Sequence, residues 1–143
     1  MSGFPEIDST LRRLMESTGE SATYYVRRDQ WRLVLHRVDS PRSVRDHIKV
    51  GDLLPLDRGA AGRVLLTAEG NASSPEAFRT IVSLGERDPE VAAVAGPVFA
   101  RDKVIAALSV SGPIGRFTKE NVRKMSPIIE EKCRHLSRML MLD

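Results

Sequence analysis

The chain has 143 residues, of which 41% are apolar, and this length and composition suit one globular domain with a sizeable core. Its 22 basic and 19 acidic residues are interspersed, which favours a solvated charged surface over a nucleic-acid-binding face. A single cysteine excludes an internal disulfide framework, and no apolar run approaches the roughly 20 residues that span a bilayer. We therefore expect one soluble, cytoplasmic domain without a membrane partner.

The chain opens with the patterns of a helix and a hairpin. Apolar residues recur at helical spacing over 5–18, and Gly19 then supplies a stop signal. Aromatic and β-branched residues are frequent over 21–27 and 31–38, and the polar break between these stretches is typical of a hairpin turn. One amphipathic helix followed by two paired strands is the prediction.

A third strand is predicted next. Val44, Ile48 and Val50 lie at positions of one parity, as in a strand with one buried face, although Asp46 interrupts that pattern. The turn signals of 39–43 separate this candidate strand from the preceding one.

Two short helices follow in the prediction. The small residues of 59–62 open the first, which Gly70-Asn71 closes. The second covers 73–84, where Ser74 is the expected cap and Pro75 occupies the first position.

The last third of the chain predicts a core hairpin and a closing helix. Residues 91–99 and 104–112 have the short apolar character of buried strands. Thr118 is the expected cap of the helix, and Pro127 predicts either a kink or a late helix start near Ser126. The expected buried stripe of this helix consists of Val122, Met125, Ile129, Leu136 and Leu140.

Taken in order, these elements predict an α+β fold. A helix, three strands, two short helices, two strands and a final helix are typical of a central antiparallel sheet with helices mainly on one side.

No arrangement typical of an enzyme occurs in the sequence. The three histidines are isolated, so no two imidazoles are spaced to bind one metal ion. Cys133 lies near the apolar stripe of the last helix, where a small buried side chain is its ordinary role. The glycines form neither a dinucleotide-binding nor a phosphate-binding motif. We therefore predict no catalytic residue, no metal site and no cofactor.

A polar pocket is the chemical feature that remains. The small residues of 59–62 leave space beside a helix start, whose backbone donors and positive dipole end suit a carboxylate. Ser109 and Ser111 project from the same face of their strand, because side chains alternate across a sheet. If that face meets the turn at Gly59, the two form a cavity for an organic anion. Alternatively, the small residues simply permit close packing of the helix on the sheet.

Three parts of the chain resemble one protein family. The run VGDLLPLDRGAAGRVLLTA has a Pro-Leu pair before a small-residue turn and a short apolar helix, and ERDPEVAAVAGPVFARDKVIAALSVSGPIGRFT has a matching core hairpin. LMESTGESATYYVRR and LHRVDSP match in the opening helix and first strands. These pieces, in this order, resemble the effector-binding domain of IclR-type transcriptional regulators.

The resemblance implies a GAF-like α/β domain over 4–143 that binds a small organic acid or aromatic metabolite as its effector and forms a homodimer or tetramer. By position, it implies a pocket lined by Leu56, Arg58, Gly59, Ala60, Ala61, Val64, Ser83, Val91, Ala93, Ser109 and Ser111.

Two departures from the family pattern bear on this pocket. Asp57 and Arg58 stand where the family commonly has a histidine and a small residue, and this change could recruit Arg58 to the carboxylate of the effector. The stretch over 68–83 looks short, so one wall could be missing or supplied by a partner chain.

The resemblance also implies DNA binding through a winged helix-turn-helix that is absent from this sequence. We expect the chain to be either a fragment of a longer regulator or a stand-alone sensor. One alternative function is a ligand-free dimerisation module. Another is a small hydrolase or isomerase, for which Asp57 and Glu86 are the candidate titratable groups.

Overall fold

The computed structural model describes residues 4–44, 46–67, 70 and 72–140. At its centre is a six-stranded antiparallel sheet, and within the described residues three α-helices pack on it. The strands are β1 (Ser21–Arg28), β2 (Trp31–Val38), β3 (Leu53–Pro55), β4 (Ile81–Leu84), β5 (Val91–Ala100) and β6 (Lys103–Pro113), and the helices are α1 (Phe4–Thr18), α2 (Ala60–Thr67) and α3 (Lys119–Leu140). The strand order is β3-β2-β1-β6-β5-β4, which confirms the predicted α+β architecture.

The two faces of the sheet carry different helices. Helices α1 and α3 cover one face, where Leu11, Leu108 and Ile129 belong to the larger apolar cluster. Helix α2 covers the opposite face, and Val34 and Leu65 belong to the smaller cluster there. The helices therefore lie mainly on one side, as predicted, and the short α2 adds a second packed layer.

Both predicted hairpins are confirmed. Strand β1 pairs with β2 and β5 pairs with β6, each in antiparallel register. Strands β1 and β6 also pair with each other, which joins the two hairpins into one sheet. In the β5–β6 register Ala93 lies opposite Ser111 and Ala95 lies opposite Ser109, so small side chains surround the two serines.

The predicted third strand over 44–50 is wrong. Residues 46–49 are irregular, and a turn follows before β3 begins at Leu53. The buried Asp46 carboxylate accepts hydrogen bonds from Arg37 and Ser111, which hold the segment across the sheet rather than beside a strand. These side-chain bonds outweigh the alternation of apolar residues.

The predicted helix over 73–84 is wrong in its second half. A 3₁₀ turn spans Pro75–Phe78, and β4 follows it. The β-branched pair Ile81-Val82 favours a strand, and β4 pairs with β5 at the edge of the sheet. The Ser74 hydroxyl donates to the Glu76 carboxylate and makes no capping bond to the backbone of the turn.

Helix α3 runs through Pro127, and its apolar stripe packs in the larger cluster as predicted. The helix begins at Lys119, so the predicted late start near Ser126 is wrong. Thr118 is its cap, because the hydroxyl accepts a hydrogen bond from the Asn121 amide at 3.1 Å. Pro127 is exposed, and so is Arg123, the residue one turn earlier whose carbonyl loses its helical donor.

Helix α2 lies against the chain segment that precedes it. It ends at Thr67, and of the predicted closing pair Gly70-Asn71 only Gly70 falls within the described residues. A Cβ atom added to Gly62 would lie 2.3 Å from the carbonyl oxygen of Leu56. At this position the small residue allows α2 to pack closely against the Leu56 backbone, which is the alternative to a ligand-binding role for the small residues.

We predict that Gly62→Ala destabilises the domain by about 1–3 kcal/mol, because the new methyl group overlaps a backbone oxygen. Alanine is ordinarily more favourable than glycine in a helix interior by about 1 kcal/mol, so a net loss isolates the steric effect. Urea unfolding followed by circular dichroism measures the change. Gly115→Ala is the control, since no heavy atom lies within 4 Å of its added Cβ. Equal losses in the two variants would contradict the close approach at Gly62.

Candidate functional site

A small buried cavity, which we call the inner cavity, lies between the start of α2 and the sheet. Its free volume is about 20 Å³. Seven of the residues predicted for a ligand site line it, namely Gly59, Ala60, Ser83, Val91, Ala93, Ser109 and Ser111. The predicted meeting of the two serines with the Gly59 turn is thus present in the structure.

Strand alternation brings the serines to this cavity. In β6, Leu108 and Val110 point into the larger apolar cluster, while Ser109 and Ser111 face α2. Both serines are almost fully buried, with exposed fractions of 2% and 4%. The Ser111 hydroxyl donates to Asp46 at 2.7 Å, whereas the Ser109 hydroxyl makes only a long bond of 3.4 Å to the Val110 carbonyl. Ser109 is therefore the hydroxyl more available to a ligand.

The other four predicted residues lie elsewhere. Leu56 and Ala61 are buried in the smaller apolar cluster with α2. Val64 lines a separate cleft, described below. Arg58 is exposed and does not line the inner cavity, so it is not positioned to meet a carboxylate there.

A buried carboxylate forms one wall of the inner cavity. Asp46 accepts hydrogen bonds from Arg37 Nη2 at 2.7 Å and from the Ser111 hydroxyl at 2.7 Å. Arg37 also donates to Thr23 and pairs with the exposed Asp39. Burial alone would lower the pKa of Arg37, but the hydrogen bonds that Arg37 donates to Asp46 and Asp39, together with the Asp46 charge, outweigh this effect and raise it. The Asp46 charge is therefore neutralised within the protein.

Arg32 contributes a buried positive charge to the inner cavity. The residue is 4% exposed, and its guanidinium lies over the Tyr25 ring at 4.8 Å from the centroid. Its Nε is buried and has no hydrogen-bond partner among the described residues. Burial lowers the pKa of Arg32, and the nearby charge of Arg87 lowers it further. The guanidinium lies beside the Gly59 turn, since a Cβ on Gly59 would be 2.9 Å from Nη2.

The Gly59 turn differs from the predicted anion site in one respect. Gly59 has φ +87°, a conformation that glycine adopts without strain, and its amide donates to the Glu86 carboxylate at 3.2 Å. Glu86 also pairs with Arg63 at 2.8 Å. One backbone donor beside the start of α2 is therefore already bound to a carboxylate of the protein, which the loop after β4 supplies.

A larger cavity, the outer cavity, adjoins the inner one. Its volume is about 420 Å³, and its lining includes Val44, His47 and Asp88. Arg87 and Val91 line both cavities, as do Asp46 and Ile48. Pockets of about 300–1,000 Å³ are usual for small-molecule ligands, so the outer cavity has room that the inner one lacks.

A separate cleft lies beside the C-terminal half of α2. This apolar cleft measures about 350 Å³ and is lined by Val64, Thr67, Ile81, Pro97 and Val104 among others. Its polar residues, such as Glu76 and Arg79, are exposed. Because no buried polar group among its described residues faces it, the apolar cleft offers less means of orienting a ligand than the inner cavity does.

Sequence reasoning missed Arg32, Tyr25 and Arg87. Arg32 shares its parity in β2 with the fully buried Val34, and this was the available signal. Arg87 lies in a polar loop, where an arginine ordinarily faces solvent. The two candidates for an enzyme, Asp57 and Glu86, do not line the inner cavity.

Residues 4–44, 46–67, 70 and 72–140 hold no group of three or more potential metal ligands. None of the helices in the same residues has the length and apolar character to cross a membrane.

The fold agrees with comparisons to known proteins. Residues 4–84 and 80–138 match the family model described as bacterial transcriptional regulator IclR C-terminal. The chain belongs to this family of IclR C-terminal domains. Comparison with curated proteins finds no match.

Solved structures show the same fold. An IclR-family transcriptional regulator from Rhodococcus sp. is 27% identical with a TM-score of 0.83, and the match covers 96% of this chain and 64% of that protein. The C-terminal domain of Escherichia coli KdgR is 22% identical with a TM-score of 0.80, and the match covers 99% of both chains. Thermotoga maritima IclR is 18% identical with a TM-score of 0.86, covering 99% of this chain and 69% of that one. The chain thus spans 64% of the length of the Rhodococcus regulator.

We predict that Asp46→Asn lowers the free energy of unfolding by about 3 kcal/mol, because Arg37, whose side chain is 3% exposed, loses its buried counterion. Thermal or urea unfolding measures the loss. Asp39→Asn removes the other carboxylate from the same arginine, but its side chain is 55% exposed, and we expect a change within about 1 kcal/mol. Similar losses in the two variants would show that Asp46 has no special role.

Proposed function

We propose that this chain is the effector-binding and oligomerisation domain of a cytoplasmic IclR-type transcriptional regulator, and that its effector is a small organic acid or aromatic metabolite. The observation that carries the proposal is the convergence of Ser83, Ser109 and Ser111 on a buried cavity beside the start of α2. Ser111 already donates to Asp46, but Ser109 makes only a long bond of 3.4 Å, and a polar ligand supplies the better partner that a buried hydroxyl needs.

The sizes of the two cavities set how such a ligand binds. The inner cavity, at about 20 Å³, has room for about one water molecule, whereas the outer cavity holds about 420 Å³. The body of the effector therefore occupies the outer cavity, and its polar end faces the serines. Ile48 and Val91, which line both cavities, give the ligand apolar contact where they join.

The position of the cavities suggests how the ligand regulates. The site lies where α2, the loop after β4 and the segment at Asp46 meet, so a ligand contacts three separately held parts of the domain. Regulation requires that the effector bind one arrangement of these parts more tightly than another. DNA binding then belongs to a winged helix-turn-helix domain outside this sequence. In a homodimer or tetramer, the effector alters the spacing between these DNA-binding domains.

Exposed apolar residues support self-association. Trp31 is 46% exposed and Leu53 is 51% exposed, and they lie on the neighbouring strands β2 and β3 at one edge of the sheet. Large exposed apolar side chains that lie together are typical of protein interfaces. We propose this edge as part of the contact between subunits.

The ligand-free dimerisation module is the second candidate, and the small volume of the inner cavity favours it. In that case the buried serines only fill space in the core, and Ser111 only holds Asp46 in place. A domain of this kind would show self-association that is independent of any small molecule.

A thermal-shift screen against small carboxylic and aromatic acids separates the two functions. A ligand that binds only the folded state, at a hundred times its Kd, stabilises that state by about 2.7 kcal/mol. We predict a concentration-dependent rise in Tm that Ser109→Leu abolishes, because the larger side chain fills the inner cavity. Ser109→Ala keeps the space and loses only the hydroxyl, so it should weaken the rise without removing it. Circular dichroism verifies that both variants fold.

The absence of any shift across the panel would support the ligand-free module. Light scattering on the same samples completes the test, since both functions require a homodimer or tetramer and a strictly monomeric chain would argue against either.

A further inference from the structure

We propose that Arg32 and Arg87 form a two-arginine clamp that binds the carboxylate of the effector where the inner and outer cavities join. This inference rests on the proposed function, because it concerns the same site. It identifies the ligand as an anion and assigns its recognition to two residues that the sequence pattern did not indicate.

Arg32 is a buried arginine without a counterion among the described residues. Its side chain is buried and its Nε has no partner among the described residues, and no carboxylate in that part of the chain lies within ion-pair distance of it. A buried charge without a counterion is costly, so proteins rarely keep one unless it has a partner or a role. The ring of Tyr25 gives the guanidinium a stacking surface but cannot neutralise its charge.

Arg87 is the second arginine of the clamp. It lines both cavities and shares the inner one with Arg32, and its charge lowers the pKa of Arg32 further, after the larger effect of burial. Among the described residues it makes neither a hydrogen bond nor an ion pair. Two guanidinium groups directed at one space repel each other, and an anion between them removes that repulsion. Arginine is well suited to this task, because its planar fork binds a carboxylate through two parallel hydrogen bonds.

The carboxylates near the clamp do not take the place of a ligand. Asp46 lines the same space, but its charge is neutralised by Arg37 and its second oxygen accepts from Ser111. Asp88 and Glu90 line only the outer cavity, where Asp88 accepts a hydrogen bond from the Glu90 amide. The effector therefore presents its anionic end inward, away from these two acidic side chains.

Glu86 positions the clamp. It precedes Arg87 in the loop after β4, and its carboxylate binds the Gly59 amide and the Arg63 guanidinium. These bonds fix the loop to the start of α2 and so fix the backbone from which Arg87 extends. We assign Glu86 as a positioning residue that does not contact the ligand.

The test compares charged and uncharged ligands of the same shape. Isothermal titration calorimetry measures the affinity of the wild-type chain for benzoate, phenylacetate and hexanoate, each beside its uncharged amide. The clamp predicts binding of at least one acid, roughly tenfold or more tighter than its amide, because hydrogen bonds to charged groups have this strength. Arg32→Met and Arg87→Gln should each lower the affinity for the acid roughly tenfold or more and leave the affinity for the amide almost unchanged.

Arg58→Gln is the matched control, since Arg58 is an exposed arginine next to Gly59 and does not line the inner cavity. We expect it to bind the acid as the wild-type chain does. Glu86→Gln should lower the affinity for the acid less than Arg87→Gln does. In the double variant Glu86→Gln/Arg87→Gln, the acid and its amide should bind with equal affinity.

A second readout separates recognition from a structural role. Methionine has nearly the length of the arginine stem and no charge, so Arg32→Met should leave the Tm of the free domain unchanged or raised while removing the response to the acid. A structural arginine predicts the opposite, a lowered Tm. Equal affinity for acid and amide, or full acid binding by the double variant Arg32→Met/Arg87→Gln, would overturn the clamp and leave the proposed function intact. Failure of every acid and amide to bind would overturn both.

Discussion

The arrangement of Arg37, Asp46 and Ser111 is the interaction on which the site depends. It joins β2, an irregular segment and β6 through bonds of 2.7 Å to the two oxygens of one buried carboxylate. The other attachments of this segment are the buried Ile48 and a hydrogen bond from Arg116 to the Val44 carbonyl, whereas Val44 and Val50 are exposed and contribute few apolar contacts. The segment is one wall of both cavities, so this carboxylate positions the site.

The two faces of the sheet differ in polarity, because side chains alternate along each strand. On one face α1 and α3 bury the larger apolar cluster, which supplies most of the hydrophobic stabilisation. On the other face the short α2 covers only part of the surface, and serines and arginines occupy the remainder. A polar, partly open face of this kind is costly to fold but allows a ligand to approach. This division suits the proposed effector function, because a ligand that binds at the polar face leaves the larger apolar cluster unchanged.

Much of the fold, and half of the site, could be predicted from the sequence. Alternation along β6 was enough to place Ser109 and Ser111 together, and the small residues before α2 marked the facing turn. The inward Asp46 could not be predicted, because one of its partners is 65 positions away and a strand pattern ran through it. The inward direction of Arg32 was obscured by the continuous apolar run at Leu33 to Leu35 in β2, which shows no alternation, and by the irregular register at Leu35, the β2 residue between the partners of Tyr24 and Tyr25.

The most direct measurement is an NMR titration of the 15N-labelled chain with an acid that stabilises it, following backbone amides and the Nε–H signals of arginine side chains. The site proposed here predicts saturable changes at the Arg32 Nε–H and at the amides of Gly59 and Ser109, with little change across the apolar cleft. Changes centred on Thr67, Ile81 and Val104, with an unmoved Arg32 signal, would place the effector in the apolar cleft and contradict the central claim.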